Sequence, residues 1–220
     1  MRTGRGAHTE TVDHPLFARF YARMAVAMER HGAAAHRRRL LEGITGRVVE
    51  IGAGTGANFV HYPRSVTELV AVEPEERLRA LARCAARDAA IPITVVDSVA
   101  DRLSAADGTF DAAVTSLVLC SVPDQGAALH ELRRVLRPGG RLYFWEHVRA
   151  DEPVLASVQR LLDATVWPTL GGGCHAARDT ATAIAAAGFT IEGLERFAFP
   201  QRRLPNPTRP QVLGTAIRSA

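Results

Sequence analysis

The residues best placed to do chemistry are five consecutive small ones, Gly52-Ala53-Gly54-Thr55-Gly56, followed at Glu73 by an acidic side chain. Glycines without side chains let the backbone approach a bound group closely, and amides exposed where a strand turns into a helix favour an anionic or strongly polar ligand. An acidic residue about 20 positions further on accepts hydrogen bonds from both hydroxyls of a ribose. The two features together specify an adenosine-containing ligand. Gly52, Gly54 and Ala57 also satisfy the GxGxxA pattern of dinucleotide sites, so these residues by themselves leave a nicotinamide dinucleotide open.

A second set of residues could act on a second substrate. His147 closes an apolar run beside Glu146 and reads either as a base or orienting donor, or as a structural histidine tying down the next loop. His175 follows Gly171-Gly172-Gly173-Cys174, where a loop over that substrate would lie; its other reading is a solvated loop histidine. Tyr21 and Phe17 read as lid or core, and Trp167 and Phe59 as pocket walls; Asp163 and Gln159 receive no role. Cys120 and Cys174 read as buried core residues rather than nucleophiles. With Cys84 they are odd in number and widely spaced, which suits neither a disulfide framework nor the CxxC spacing of a zinc site. No metal is expected, and the compartment expected is the reducing cytoplasm.

The elements that must position these residues alternate between strand and helix. Residues 1–14 are polar and predict a flexible tail; residues 15–45 predict a helical lid, with one helix from Pro15 and another from Ala33 to Leu41. Strands are predicted at Arg47–Ile51, Glu68–Val72, Ile93–Val96, Ala112–Leu119, Arg141–His147, Thr190–Phe199 and Val212–Arg218. Asn58 to Tyr62 reads as a helix opening, Pro74 as a first-turn proline, Asp124 and Asp179 or Thr180 as helix caps, and Arg137–Gly140 as a turn. Residues 46–220 then form the core of one domain, with an acceptor-side insertion at about 150–178. The pattern predicts a doubly wound, mainly parallel α/β sheet, whose ligands lie beyond the carboxyl ends of its strands.

Composition excludes several classes. The chain has 220 residues, net charge +4 and ordinary hydrophobic content, and all 27 of its basic residues are arginine. Short clusters such as Arg37-Arg38-Arg39 read as solvated helix faces rather than a nucleic-acid stripe. The longest apolar run, Ala112 to Val122, is too short and too polar to span a membrane.

Val48-Val49-Glu50-Ile51-Gly52-Ala53-Gly54-Thr55-Gly56 resembles the first motif of class I S-adenosylmethionine-dependent methyltransferases. Asp107-Gly108-Thr109-Phe110-Asp111 resembles their D-G-S-F-D segment, and Arg134-Val135-Leu136-Arg137-Pro138-Gly139-Gly140 their R-V-L-R-P-G-G turn; a nicotinamide enzyme has no reason to carry these two. The resemblance implies a Rossmann-like, seven-stranded sheet, mostly parallel with an antiparallel C-terminal strand. It implies that Gly52 to Gly56 hold the methionyl part of the donor, and Glu73 with Pro74 its ribose. Ser98, Val99 and Ala100 then meet adenine, with Val99 standing where many relatives have aspartate. Ser116 and Leu117 border the methyl-transfer site, and Glu50, Asn58 and Tyr21 complete the donor set.

Ser116 to Val122, Phe144 to Val148, and Gly173-Cys174 with Arg178 look like the branch containing the mammalian membrane-associated thiol methyltransferases. This closer likeness implies a small-molecule acceptor, with thiol sulfur favoured and with oxygen, nitrogen or carbon of a metabolite such as a phenol or quinone as the alternative. A donor-binding protein without turnover is the reading from another class. The membrane anchor of those relatives has no counterpart in the amphipathic first helix, so neither membrane nor nucleic-acid partners are expected, and a monomer is favoured.

Overall fold

In a computed structural model, which describes residues 15–200 and 206–219, strands and helices alternate along the chain. The strands are β1 (Gly46–Ile51), β2 (Val66–Val72), β3 (Ile93–Val96), β4 (Phe110–Ser116), β5 (Leu136–His147), β6 (Phe189–Ala198) and β7 (Pro210–Arg218). They form one sheet in the order β3-β2-β1-β4-β5-β7-β6. β1 to β5 run parallel, and β7 is antiparallel to both of its neighbours. This is the expected seven-stranded, Rossmann-like sheet with an antiparallel C-terminal strand. The expected tail and the side chain of Phe17 lie outside the described residues.

The helices are α1 (Pro15–Arg30), α2 (Ala33–Leu40), α3 (Glu76–Arg87), α4 (Gln125–Val135), α5 (Pro153–Asp163), α6 (Trp167–Leu170) and α7 (Thr180–Ala186). Alternate residues along a strand face opposite sides of a sheet. Val49, Ala113 and Phe144 accordingly meet Leu129 and Leu132 of α4 and Ile184 of α7 on one side. Val48, Val114 and Trp145 meet Leu40 of α2 and Ala82 of α3 on the other. Burial on both faces explains why the central strands are largely apolar. Among the described residues no helix is long and apolar enough to cross a membrane.

Four local expectations need revision. Asn58 to Tyr62 makes only a single 3-10 turn, Phe59–His61, because the Asn58 side chain is bound into the interior and Pro63 follows closely. Pro74 precedes the cap of α3, which is Glu75, its carboxylate accepting from the Leu78 amide. Residues 137–140 lie within β5, as an irregularity between the Phe110–Leu136 and Ala112–Arg141 pairs, instead of a separate turn. Arg37, grouped with its neighbours as a solvated face, is 5 % exposed. It shares the inward face of α2 with Ala33 and Leu40. Asp124 and Asp179 do cap α4 and α7.

Candidate active site

β1 and β4 are neighbours in the sheet, although β2 and β3 separate them in sequence. Their carboxyl ends therefore flank the point where strand order reverses, which is where ligands enter such sheets. The turn after β1 has Gly52 at φ 65° and Gly54 at φ 58°, in the left-handed region that a side chain resists. A Cβ on Gly52 would come within 2.5 Å of Val118, and one on Gly54 within 3.1 Å of the Tyr21 ring. Tyr21 of α1 thus lies against the glycine turn.

Glu73, at the end of β2, reaches the same turn. Its Oε2 accepts from the Gly54 amide at 2.7 Å and its Oε1 from the Glu75 amide at 3.0 Å. Burial pushes its carboxyl up, and the two amides restrain the shift. Arg79 fixes this corner by donating to the carbonyls of Glu73 and Pro74 and pairing with Asp97. Beyond Asp97, Ser98 donates to the Arg102 carbonyl, and Ser98, Val99 and Ala100 remain partly accessible beside the site.

Behind the turn lies a buried polar network. Glu50 accepts from Asn58 Nδ2 at 2.7 Å and from the Tyr62 hydroxyl at 2.8 Å, and burial pushes its carboxyl up to about 7. Arg37 donates to Asn58 Oδ1 at 2.7 Å, to Ser116 Oγ at 3.3 Å and to Glu29 Oε1 at 2.7 Å. Its guanidinium lies 5.4 Å from the centre of the Trp145 ring, a cation–π distance. Sequence reasoning missed Arg37. The available signal was its position on the helical face of Ala33 and Leu40.

The other end of the site is built from two loops. β4 is followed by Leu117, a non-glycine residue at φ 61°, whose amide donates to the Trp145 carbonyl. Glu146, buried on β5, then accepts from the amides of Val118, Leu119 and Cys120. The loop after α6 docks on this one: the His175 amide donates to the Cys120 carbonyl, and Arg178 donates to that of Leu119. Asp163, unassigned from sequence, holds the same loop by accepting from the amides of Ala176 and Ala177. Gln159 anchors α5 to the carbonyls of Val148 and Pro207.

These clamps bring together three side chains that are 27 residues apart at each step. His147 Nδ1 lies 3.4 Å from Cys120 Sγ and 3.5 Å from Cys174 Sγ. Both cysteines are buried, as expected, but in contact with a histidine rather than in plain apolar core. Their mutual hydrogen bond raises the Cys120 thiol and lowers that of Cys174. The ring of His175 is not part of this cluster; its Nδ1 faces Asp163 Oδ2 at 4.0 Å. Trp167 borders Cys174, whereas Phe59 packs beneath Gly56 in the core.

A doubly wound sheet with this glycine turn and strand-end glutamate defines an adenosyl-ligand fold, and comparison with known proteins narrows it. A family model described as a methyltransferase domain matches residues 49–144. The chain is 37% identical over 183 residues to thiol S-methyltransferase TMT1B of Mus musculus, spanning 81% of this chain and 74% of that one. It is 34% identical to thiol S-methyltransferase TMT1A of Homo sapiens, over 78% of this chain and 70% of the other. A solved S-adenosylmethionine-dependent methyltransferase of Thermotoga maritima superposes with a TM-score of 0.67 at 22% identity, covering 92% of this chain and 98% of that one. The chain belongs to the class I S-adenosylmethionine-dependent methyltransferases, close to the thiol S-methyltransferase branch. It is an enzyme whose methyl donor is S-adenosylmethionine and whose coproduct is S-adenosylhomocysteine. The left-handed glycine turn and the Glu73 carboxylate aimed at it fit that donor.

Proposed function

We propose that this enzyme methylates the sulfur of small thiols. The observation carrying this reading is how the carboxylates at the acceptor end are used. Glu146 is committed to three backbone amides and Asp163 to two, so both hold loops in place. An acceptor that ionises at little cost suits such a site. At neutral pH, deprotonating a thiol of pKa about 8.5 costs about 2 kcal/mol, against about 4 kcal/mol for a phenol. The names of the relatives matched over four-fifths of the chain point the same way.

The bound donor supplies an electrophilic methyl group on a sulfonium. Gly52 to Gly56 and Glu73 orient it, Tyr21 covers the turn, and Ser116, Leu117 and His147 border the acceptor. Holding the two reactants in attacking geometry can contribute about 7–11 kcal/mol, so positioning is the main task of these residues. A small acceptor, rather than a nucleic acid, is supported by the arginines: Arg47, Arg134, Arg141 and Arg196 are paired with acidic side chains of the same chain. The reading places the enzyme in the reducing cytoplasm, where thiols persist, acting as a monomer.

The test is incubation with isotope-labelled donor and a panel of thiols, phenols, quinols and amines, read by mass spectrometry. The expected products are labelled thioethers. Label appearing on phenols or quinols, with every thiol untouched, overturns the sulfur assignment and leaves the methyltransferase intact.

A further inference from the structure

We propose that Cys120, His147 and Cys174 form a binding site for a thiophilic metal ion, with zinc(II) as the representative, and that its open fourth position takes the acceptor thiolate. The inference rests on the thiol reading above for its second half only.

Its first support is geometric. Zinc bonds of about 2.3 Å to sulfur and about 2.0–2.1 Å to nitrogen, at the tetrahedral angle, place sulfur and nitrogen about 3.6 Å apart. The two sulfur–nitrogen separations are 3.4 and 3.5 Å, and all three ligand atoms lie within 4.8 Å of one another. A metal would need little rearrangement to enter.

The second support is chemical. Two sulfurs and an imidazole form a soft donor set that selects zinc or copper(I) over magnesium or calcium. Two thiolates also balance the charge of a divalent ion, which makes the filled site neutral and compatible with its burial. Three protein ligands with one open position are the arrangement of catalytic rather than structural zinc.

The third support is that both cysteine-bearing loops are held from outside. Glu146 fixes the Cys120 loop through three amides, the His175 amide joins that loop to the one carrying Cys174, and Asp163 fixes the latter. Such outer-shell support orients metal ligands. The cluster also adjoins the glycine turn, because Val118, two residues before Cys120 on the same clamped loop, packs against Gly52.

The chemistry balances. A thiol bound at the fourth position loses its proton to solvent and becomes a metal thiolate. Its sulfur lone pair attacks the donor methyl; the new carbon–sulfur bond forms as the old one breaks, and that electron pair stays on the donor sulfur. The neutral thioether is a weak ligand and leaves. The thiolate complex carries a net negative charge and faces a cationic sulfonium, so the reactants attract.

The experiment measures zinc by elemental analysis on the full chain, and cobalt(II) spectra after metal exchange. The expected result is one equivalent of metal, retained by Cys84→Ser and lost from Cys120→Ser and Cys174→Ser, with tetrahedral cobalt bands that shift when a thiol is added. Should the serine variants fail to fold, alkylation mapping of the wild-type protein replaces them: zinc is expected to protect Cys120 and Cys174 and leave the exposed Cys84 reactive. Zinc well below one equivalent and no protection, with thiols still methylated, overturns the metal site and leaves the thiol reading standing. Bound metal with thiols methylated but cobalt bands unmoved by thiol overturns the open-position role. Bound metal with thiols neither shifting the bands nor gaining methyl removes the thiol reading, and the open-position role with it.

Discussion

Two single residues carry consequences that can be measured directly. Glu50 is buried, with its carboxyl raised from 4.5 to about 7. Between those values the folded chain binds a proton that the unfolded chain has released, so stability is greatest at the acidic end and falls as pH rises towards 7, then levels. The loss is of the order of 3 kcal/mol. Urea unfolding at pH 5, 6, 7 and 8 should show this slope in the wild type and a shallower one in Glu50→Gln, where the raised carboxyls of Glu73 and Glu146 remain; an unchanged slope in the variant assigns the effect to those groups. Gly54 is the second. An alanine there meets both a left-handed backbone and the Tyr21 ring, so Gly54→Ala should weaken donor binding about tenfold or more, at about 1 kcal/mol or more for the backbone alone. Calorimetric titration with S-adenosylhomocysteine reads this out. The glycines and Glu73 were legible in sequence because a left-handed turn and the carboxylate that caps it demand those residue types at that spacing. Arg37 was not, because a run of three arginines hides which of them the helix turns inward.

At the scale of elements, the loop after β4 buries Leu119 in the core, and three of its backbone amides are held by one carboxylate. Glu146→Ala leaves three amides without their acceptor, at about 1–3 kcal/mol each. Denaturant unfolding should therefore show a loss of at least about 3 kcal/mol; a loss below about 1 kcal/mol means that water replaces the clamp. Strands and major helices could be read from sequence because period and capping are local properties. The joining of Cys120, His147 and Cys174 could not, since the fold brings together one strand end and two separate connections and no spacing rule describes them. The short turn at Phe59–His61 escaped for a related reason: a distant partner, Arg37, holds Asn58.

At the scale of the molecule, the sheet is a scaffold whose candidate site lies at the carboxyl ends of β1 to β5, and the surface is tied by arginine ion pairs such as Arg47–Glu68 and Arg141–Glu192. Exposed pairs contribute about 0–1 kcal/mol each and are screened by salt. Raising sodium chloride from low to high concentration should consequently lower the melting temperature by only a few degrees, about 2–4 °C per kcal/mol for a chain of this size. A drop several times larger would mean that charge, rather than the two apolar cores, dominates stability.

Gly32, at φ 102° and with open space around it, is the joint between α1 and α2, and the Arg37–Glu29 pair spans that joint. Tyr21 rides on the α1 side of it, over the Gly52–Gly56 turn. If α1 must lift for spent coproduct to leave, the Arg37–Glu29 pair is the contact that would have to break. Rapid-quench kinetics should show a burst of one methylated product per enzyme followed by a slower steady state. Glu29→Gln, which weakens that pair, should quicken that steady state while leaving the burst unchanged. The turnover number of this enzyme would then be set by an ion pair remote from the transferred methyl group.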